Sequence, residues 1–337
     1  GAVKAMTLVK IKIAAAAACA ATVLAGSAAL GVRALDMGET YYVATGTGAG
    51  GTGSAVSPFD DAVEAAARLE PGDTLFFRDF AWVQLYCDSN QDVADTTMLA
   101  FRIAEDPRIL LPVMVCMDAF IVSHTSMETE LASQEHADRF LPPCDIPHRM
   151  DMSRPFTTGG MSFPQDTLSQ RLDLDEAMSR VPAVLEEHCR NFRDVFGREV
   201  AGAVSAYRTE DADLILIASG TVATTALQVI EELRGKGHRA GLIRIKMFRP
   251  FPAEAIRKLC GTSKKIAVLD RNYAAGIGGI FCHDVKACLQ GHSNALVQGY
   301  LTGVGGGDVV PEMVHEVCAD LAQRTRSGPP VWKGIEA

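Results

Sequence analysis

The chain has 337 residues and a formal net charge of −9, with 48% hydrophobic and 22% charged residues. This length is sufficient for two ordinary domains, and the composition is typical of a soluble globular enzyme. The acidic balance and scattered basic residues argue against nucleic acid as a partner, because no basic surface is available to neutralise phosphates.

The nine cysteines do not follow a metal-binding spacing. None belongs to a C-x-x-C pair, whereas iron–sulfur clusters and structural zinc sites usually draw their thiolates from closely spaced pairs. The odd number also argues against a disulfide framework. We therefore predict no metal site and no iron–sulfur cluster on this chain, with most cysteines reduced and several serving as small apolar fillers.

The segment 6–34 carries an uncharged, alanine-rich apolar run from Ile13 to Val32, preceded by Lys10 and Lys12. This pattern resembles a secretory signal or a marginal membrane span. A buried alanine-rich helix is the alternative, because alanine is the best helix former. The composition predicts a cytoplasmic protein, and this segment is the feature that conflicts with that prediction.

The next stretch contains a strand candidate at Tyr41–Val43 and a glycine-rich run, Gly46–Gly51, close to a dinucleotide-binding fingerprint. Such a fingerprint must lead directly into a helix, but Ser57-Pro58 intervenes and favours a flexible loop. The run from Glu39 to Arg78 also resembles the opening of secreted parallel β-helix proteins of the pectate-lyase type. No further β-helix rungs follow Arg78.

Residues 78–143 read as alternating strands and helices. A histidine, His124, follows the predicted strand ending near Asp118, where ligand sites of α/β proteins collect. It is a candidate general acid or base, and a hydrogen-bonded loop histidine is the favoured alternative. The predicted elements are a strand at Trp82–Tyr86, a turn at Asp88–Gln91, a helix ending at Glu105 and a strand at Ile109–Asp118.

Residues 144–203 form a predicted connector with a long helix, Thr167–Phe196, whose apolar positions recur at helical spacing. The connector is expected to wrap a partner. His188 and Cys189 are adjacent in sequence, so they point to different faces of that helix and do not form a catalytic pair.

Residues 204–310 show repeated strand–helix units, which predict a mostly parallel sheet with right-handed crossovers. Asp270-Arg271 is expected to form a local charge pair or a loop anchor, and Arg249 to fix the turn that ends at Pro252. The glycine runs Gly276–Gly279 and Gly303–Gly307 close strand-to-helix turns. Residues 311–337 are a C-terminal helix and tail. The predicted strands are Leu214–Ala218, Leu242–Met247, Ile266–Leu269 and Ala295–Leu301, and the predicted helices are Ala223–Leu233, Ala253–Leu259 and Phe281–Leu289.

Several sequence blocks follow one another in a fixed order between residues 78 and 313: RDFAWVQLYCDSNQDVADTTMLAFRIAED, LLPVMVCMDAF, SHT, FLPP, YRTEDAD, SGT, RPFPAE, LDR and GYLTGVGGGDVVPEM. Through these blocks the chain resembles, over residues 78–337, the α subunits of the 2-oxoacid:ferredoxin oxidoreductases. The resemblance implies an α/β fold with parallel-sheet domains. The remainder of a thiamine-enzyme pyrimidine-type domain (78–143) would precede a transketolase-C-terminal-like domain (204–310).

The resemblance implies the oxidative decarboxylation of pyruvate or a related 2-oxoacid to its acyl-CoA. Thiamine diphosphate with Mg²⁺ would lie at an interface with a β subunit that binds the cofactor, and ferredoxin would accept the electrons. The implied partners also include γ and ferredoxin-like δ subunits, or ferredoxin itself, and coenzyme A. The iron–sulfur clusters would be carried by partner chains.

Residues 1–77 do not match the family's N-terminal thiamine half-site, which contains a Tyr-Pro-Ile-Thr-Pro stretch, an activating glutamate and a substrate-binding arginine. Arg33 stands in a match too short to transfer, and a solvated helix face explains Glu64 and Glu70. The segment is either a fusion or a diverged thiamine-binding domain. Catalytic and cofactor-binding residues therefore remain unassigned. A non-catalytic scaffold subunit and a secreted β-helix fusion are the alternatives to an active subunit.

Overall fold

The structure is a computed structural model that describes residues 32–35, 40–43, 77–119, 121–145, 152–153, 155, 160–261 and 263–334. The chain divides into two units, Gly1–Asp73 and Thr74–Ala337. In the first unit, β1 (Val32–Leu35) and β2 (Thr40–Val43) pair antiparallel. Arg33 lies in β1, and β2 contains the strand predicted at Tyr41–Val43.

Three sequence features of the first unit fall outside the described residues: the apolar run up to residue 31, the glycine-rich run 46–51, and the carboxylates Glu64 and Glu70. Among the helices that the structure describes, none is both long and apolar enough to cross a membrane.

The second unit begins with a module, here called the first module, built from two parallel strands and three helices. Its first helix begins at Asn90, and the Ser89 hydroxyl caps it by accepting a hydrogen bond from the Asp92 N–H. The predicted turn at Asp88–Gln91 therefore leads straight into helix. The elements are β3 (Val83–Tyr86), α1 (Asn90–Ala104), β4 (Val113–Cys116), α2 (Gln134–Phe140) and α3 (Pro164–Phe196).

The strand predicted over Ile109–Asp118 is wrong in its extent. Ile109 and Leu111 are buried as expected, but they belong to the connection between α1 and β4. Leu110 between them has a φ of 50°, which an extended strand does not allow. The buried connection has the same apolar sequence signature as a buried strand, so the apolar run alone does not separate them.

Helix α3 has 33 residues and starts three residues before the predicted Thr167. Proline at its first position suits a helix start, and Asp166 accepts a hydrogen bond from the Phe163 N–H at 3.0 Å. Its C-terminal half buries apolar side chains such as Val181 and Leu185 in the core of the first module. The helix ends at Gly197, whose left-handed φ of 70° suits glycine.

The second module contains a six-stranded sheet in the order β11-β10-β9-β6-β7-β5. All its neighbouring strands are parallel except β5, which pairs antiparallel with β7 at one edge. The predicted α/β fold with parallel sheets is confirmed. The elements are β5 (Val204–Tyr207), β6 (Leu214–Ala218), α4 (Thr221–Gly235), β7 (Ala240–Ile245), β8 (Met247–Arg249), α5 (Ala253–Cys260), β9 (Lys265–Asp270), α6 (Ile280–Leu289), β10 (Leu296–Leu301), α7 (Pro311–Gln323) and β11 (Val331–Trp332).

The single strand predicted at Leu242–Met247 is two strands. The segment β7 stays in the six-stranded sheet, whereas β8 leaves it and pairs antiparallel with β3 of the first module. A continuous apolar run cannot show that the chain changes sheet within it. The resulting three-stranded sheet, β4-β3-β8, connects the two modules through backbone hydrogen bonds.

The core of the second module lies on both faces of its sheet. Alternate residues of β6 point to opposite faces, with Ile215 and Ile217 in one cluster and Leu216 in the other. Each such fully buried aliphatic side chain contributes roughly 1.5–3 kcal/mol of transfer free energy. Helix α7, predicted as part of a C-terminal segment, supplies Val317 and Leu321 to the second cluster.

Candidate functional site

The carboxyl ends of the parallel strands in the second module define the candidate site. The chain passes from β6 to β7 on one side, and later to β9 on the other side of β6. Loops leaving β6 and β9 therefore diverge and open a crevice, which is where ligands bind in open α/β sheets. The residues at this switch-point crevice are Gly220 and Thr221 after β6, and Arg271 after β9.

A carboxylate of the chain itself occupies the crevice. The Thr221 backbone N–H and hydroxyl donate hydrogen bonds to Asp118 Oδ2 at 2.6 and 2.5 Å, and Arg271 Nη1 lies 3.6 Å from the same oxygen. Both Asp118 and Arg271 are buried. Asp118 follows β4, so the acid of the first module binds at the N-terminus of α4, where the helix dipole favours negative charge.

Arg271 makes further contacts that hold its guanidinium in place. Nη1 donates to the Thr221 hydroxyl at 3.2 Å and Nη2 to the Gly307 carbonyl at 3.2 Å. Its buried Nε is without a hydrogen-bond partner among the described residues. The expected local charge pair between Asp270 and Arg271 is wrong, because the two side chains turn to different partners.

Asp270 is a loop anchor, the other role expected for it. Its carboxylate accepts hydrogen bonds from the backbone N–H groups of Phe281 and Cys282 at 2.9 and 3.1 Å, and from the Asn272 amide at 2.9 Å. Burial raises its pKa to about 7 and outweighs these hydrogen bonds. Gly279 leaves room for the carboxylate, since a Cβ there would lie 2.1 Å from Asp270 Oδ2.

A second buried charge cluster joins the two modules. Lys246 Nζ donates to Asp92 Oδ1 at 2.5 Å, and Arg244 contacts both Asp92 and Asp88. Burial alone would raise the pKa of Asp92, but the positive charges of Lys246 and Arg244 and its hydrogen bonds hold that pKa below its ordinary value. The sequence carried one signal for this cluster, because a lysine inside an apolar strand needs a buried partner.

The loop histidine, His124, is exposed and forms a 2.7 Å hydrogen bond between its Nδ1 and the Ser123 hydroxyl. The loop is held by Asn90, whose amide donates to the carbonyls of Val122 and Thr125 at 3.3 and 2.9 Å. This geometry matches the hydrogen-bonded loop histidine rather than a histidine enclosed in a catalytic pocket.

The remaining sequence candidates have structural partners. His188 is buried with its Nε2 2.9 Å from Asp106 Oδ2, whereas the Cys189 thiol points towards the Ala201 carbonyl. Arg249 forms an ion pair with Asp284 of α6 at 2.9 Å. It therefore connects its turn to a helix of the second module.

The chemistry of the buried donors bears on cofactors. Burial raises the pKa of Cys87, Cys260, Cys282 and Cys318 to about 12, so these thiols are protonated at neutral pH and serve as small apolar side chains. Over the described ranges, no group of three or more His, Cys, Asp or Glu side chains could hold a metal ion. The N-termini of α4 and α6 already bind Asp118 and Asp270, so the described residues at this edge do not fit a diphosphate.

Two family models match the chain. Residues 63–190 match the thiamine diphosphate-binding domain of pyruvate flavodoxin/ferredoxin oxidoreductase, and residues 212–314 match core domain II of pyruvate:ferredoxin oxidoreductase. The first match begins upstream of residue 78, where the sequence resemblance was expected to start. Asp118 lies within the first match, and Thr221 and Arg271 within the second.

Curated relatives match over most of the chain. Pyruvate synthase subunit PorA of Methanothermobacter thermautotrophicus is 37% identical over 264 residues, which cover 78% of this chain and 67% of that protein. Ketoisovalerate oxidoreductase subunit VorA of Pyrococcus abyssi is 32% identical over 258 residues, covering 76% of this chain and 65% of that protein. A solved 2-oxoglutarate:ferredoxin oxidoreductase from Magnetococcus marinus aligns with a TM-score of 0.48 and 13% identity, over 75% of this chain and 45% of that one.

Proposed function

We infer the function of this chain from the family to which it belongs, the α subunits of the 2-oxoacid:ferredoxin oxidoreductases. We propose that it acts in the oxidative decarboxylation of pyruvate or a related 2-oxoacid to the acyl-CoA, with ferredoxin as electron acceptor. The observation that carries this proposal is the 37% identity with a pyruvate synthase subunit over 264 residues. The match to a ketoisovalerate oxidoreductase subunit keeps branched 2-oxoacids among the candidate substrates.

The proposed cofactor is thiamine diphosphate with Mg²⁺, bound at an interface with a β subunit. When bound, thiamine would supply the carbanion chemistry of decarboxylation. We propose that the diphosphate binds on the partner, and the presence of Asp118 and Asp270 at the two helix N-termini described above supports this placement. We propose that the iron–sulfur clusters lie on γ, δ or ferredoxin partners, because no cysteine of this chain belongs to a C-x-x-C pair.

An exposed apolar stripe supports assembly with a partner. The first turns of α3 are exposed, and Leu168 and Leu172 are 63% and 56% exposed. Residues four apart lie on the same face of a helix, so these leucines form one stripe. Met161 and Phe163, just before the helix, are also exposed apolar residues. We call residues 161–175 the arm and propose that it packs against the β subunit.

The test is reconstitution of the full chain with the β, γ and δ subunits of a related pyruvate synthase. Expected results are a stable complex on size exclusion and 2-oxoacid- and coenzyme A-dependent reduction of ferredoxin or viologen. Leu168→Glu/Leu172→Glu should abolish co-elution with the β subunit. Thr167→Glu/Gln170→Glu is the matched control, because it adds the same charge to exposed positions off the stripe.

A scaffold subunit without catalytic activity is the second candidate. The observation that favours it is that the family's activating glutamate and substrate-binding arginine have no assigned counterpart in residues 1–77, although the family-model match begins at residue 63. A stable complex without turnover, when the partner subunits are active with an authentic α subunit, would support the scaffold. A chain that stays monomeric with every partner present would contradict both candidates.

A further inference from the structure

We propose that the switch-point crevice of the second module is a carboxylate-binding site whose occupant is Asp118, and that this internal ligand latches the first module onto the second. The crevice lies where an α/β sheet ordinarily receives a separate ligand. Here the ligand is covalently part of the chain. The proposal concerns the isolated subunit and does not depend on the catalytic function proposed above.

The donors around Asp118 form a built carboxylate site. The Thr221 N–H, the Thr221 hydroxyl and the Arg271 guanidinium all converge on Oδ2, at 2.6, 2.5 and 3.6 Å. Charge-assisted hydrogen bonds of this kind are stronger than neutral ones. Because the guanidinium is buried, removing Asp118 would leave a buried positive charge with no acid opposite it.

The backbone of Gly220 is shaped around the same carboxylate. Its φ of 59° lies in the left-handed region, and a Cβ at this position would lie 2.7 Å from Asp118 Oδ2. Glycine is therefore required here for two reasons, the backbone conformation and the close approach of Asp118. Any side chain at residue 220 would push the carboxylate out of the crevice.

Asp118 also holds the loop that carries His124, through its backbone carbonyl. The Asp118 carbonyl accepts hydrogen bonds from the N–H groups of Val122 and Ser123 at 3.2 and 3.4 Å. The loop is thus held by Asn90 from within the first module and by the docked Asp118 from the second. Release of the carboxylate should loosen the loop and the N-terminus of α4 together.

A carboxylate that belongs to the chain competes for the crevice better than a carboxylate free in solution. Its effective concentration in the crevice is on the order of millimolar or higher, so dilute free anions do not displace it. If the side chain is truncated, however, a small carboxylate supplied at high concentration should enter the vacated space. Formate is the suitable probe, because it has the size of the group that is removed.

The experiment compares Asp118→Ala with the wild-type full chain by thermal unfolding and hydrogen-exchange mass spectrometry. We expect a melting temperature lower by several degrees and exchange about tenfold or more faster at residues 121–125 and at the start of α4. Sodium formate should partly restore both readouts in the variant, whereas sodium chloride at the same ionic strength should not. Wild-type melting and exchange, or equal effects of the two salts, would overturn the proposal.

Three further variants keep the proposal falsifiable. Asp213→Ala removes an exposed carboxylate paired with Arg239 and should neither loosen the loop nor respond to formate. If Asp118→Ala fails to fold, Gly220→Ala displaces the same carboxylate, and faster exchange at residues 121–125 is then the readout, because the left-handed φ at residue 220 makes this substitution strain the start of α4 directly. Arg271→Gln in the Asp118→Ala background should remove the formate response, and a response that persists would contradict the assigned site.

Discussion

The ammonium of Lys246 lies 2.5 Å from Asp92 Oδ1, and the lysine side chain is almost completely buried. Lys246 stands between β7 and β8, where the chain passes from one sheet to the other, and Asp92 stands in the first turn of α1. The ion pair therefore joins the two modules at the residue that connects β7 of the six-stranded sheet to β8 of the three-stranded sheet. Buried charges of this kind are tolerated only when they are paired.

The first prediction concerns the order of stability losses at this pair. Asp92→Asn should lower the free energy of unfolding by ~3–5 kcal/mol, because Lys246 would be left buried and charged without its carboxylate. Lys246→Met should cost less, since Arg244 still neutralises Asp92. Urea unfolding measures both. Arg239→Ala, at an exposed pair, should change stability by less than about 1 kcal/mol, and a comparable loss there would contradict the prediction.

The second prediction concerns acid sensitivity at Asp106. Hydrogen bonds from Arg108, assisted by one from His188 and opposed by burial, hold the pKa of Asp106 well below its ordinary value. A depressed folded-state pKa stabilises the fold above the unfolded value of about 4 and loses this effect as the pH falls below it.

Asp106→Asn should therefore destabilise the protein at pH 7, by about 1–3 kcal/mol. Its deficit should shrink as the pH is lowered from about 4 towards 2. Glu187→Gln, which weakens a more exposed contact of the same Arg108, is the matched control and should have the smaller effect. A deficit for Asp106→Asn that is independent of pH would show that the ionised form is not what stabilises the fold.

The third prediction concerns Asp270, whose contribution to stability should change with pH in the direction opposite to that of Asp106. Burial raises its pKa to about 7, so between pH 4 and 7 the folded protein holds a proton that the unfolded chain releases. Its contribution to stability is present at low pH and is lost as the pH rises through this window.

Asp270→Asn cannot ionise, so wild type should lose stability relative to this variant as the pH is raised from about 4 to about 7. Urea midpoints measured at half-unit pH intervals give the difference directly. Asp213→Asn, at an exposed ion pair, serves as control. A wild-type advantage that grows with pH in this range would contradict a raised pKa.

The fourth prediction concerns the space beside that carboxylate. Gly279→Ala should be strongly destabilising, because its Cβ would lie 2.1 Å from Asp270 Oδ2 and 2.4 Å from Cγ. Gly202→Ala, where no atom lies within 4 Å, should change stability by no more than about 0.5 kcal/mol. Thermal unfolding separates the two variants.

A double-mutant cycle identifies the cause of the loss. In an Asp270→Gly background the carboxylate and the Cβ, which would lie 2.7 Å from the added methyl group, are both gone, so Gly279→Ala should cost much less there than in the wild type. Additive losses would show that the glycine is needed for a reason other than contact with Asp270.

The strand β6 and the helix α3 could be predicted from local sequence patterns. The apolar run of β6 and the period of α3 were visible in the chain, because burial on both faces and burial on one helix face leave different periodicities. Blocks of sequence in a fixed order also indicated the family, which the relatives confirm. The roles of Asp118, Asp92 and Arg271 were not visible, because each is defined by a partner more than 100 residues away or on another strand.

The sequence by itself therefore determined most strands and helices of the second module, its mostly parallel sheet and the family. Only the tertiary structure decided that the apolar run after Ala240 divides between two sheets, and that Asp118 closes the crevice at the carboxyl edge. The physical reason is that periodicity reports how much of a residue is buried, whereas the identity of a charged residue's partner depends on how distant segments pack. A lone Asp after a strand has the same sequence signature whether it faces solvent or binds the N-terminus of a helix in another module.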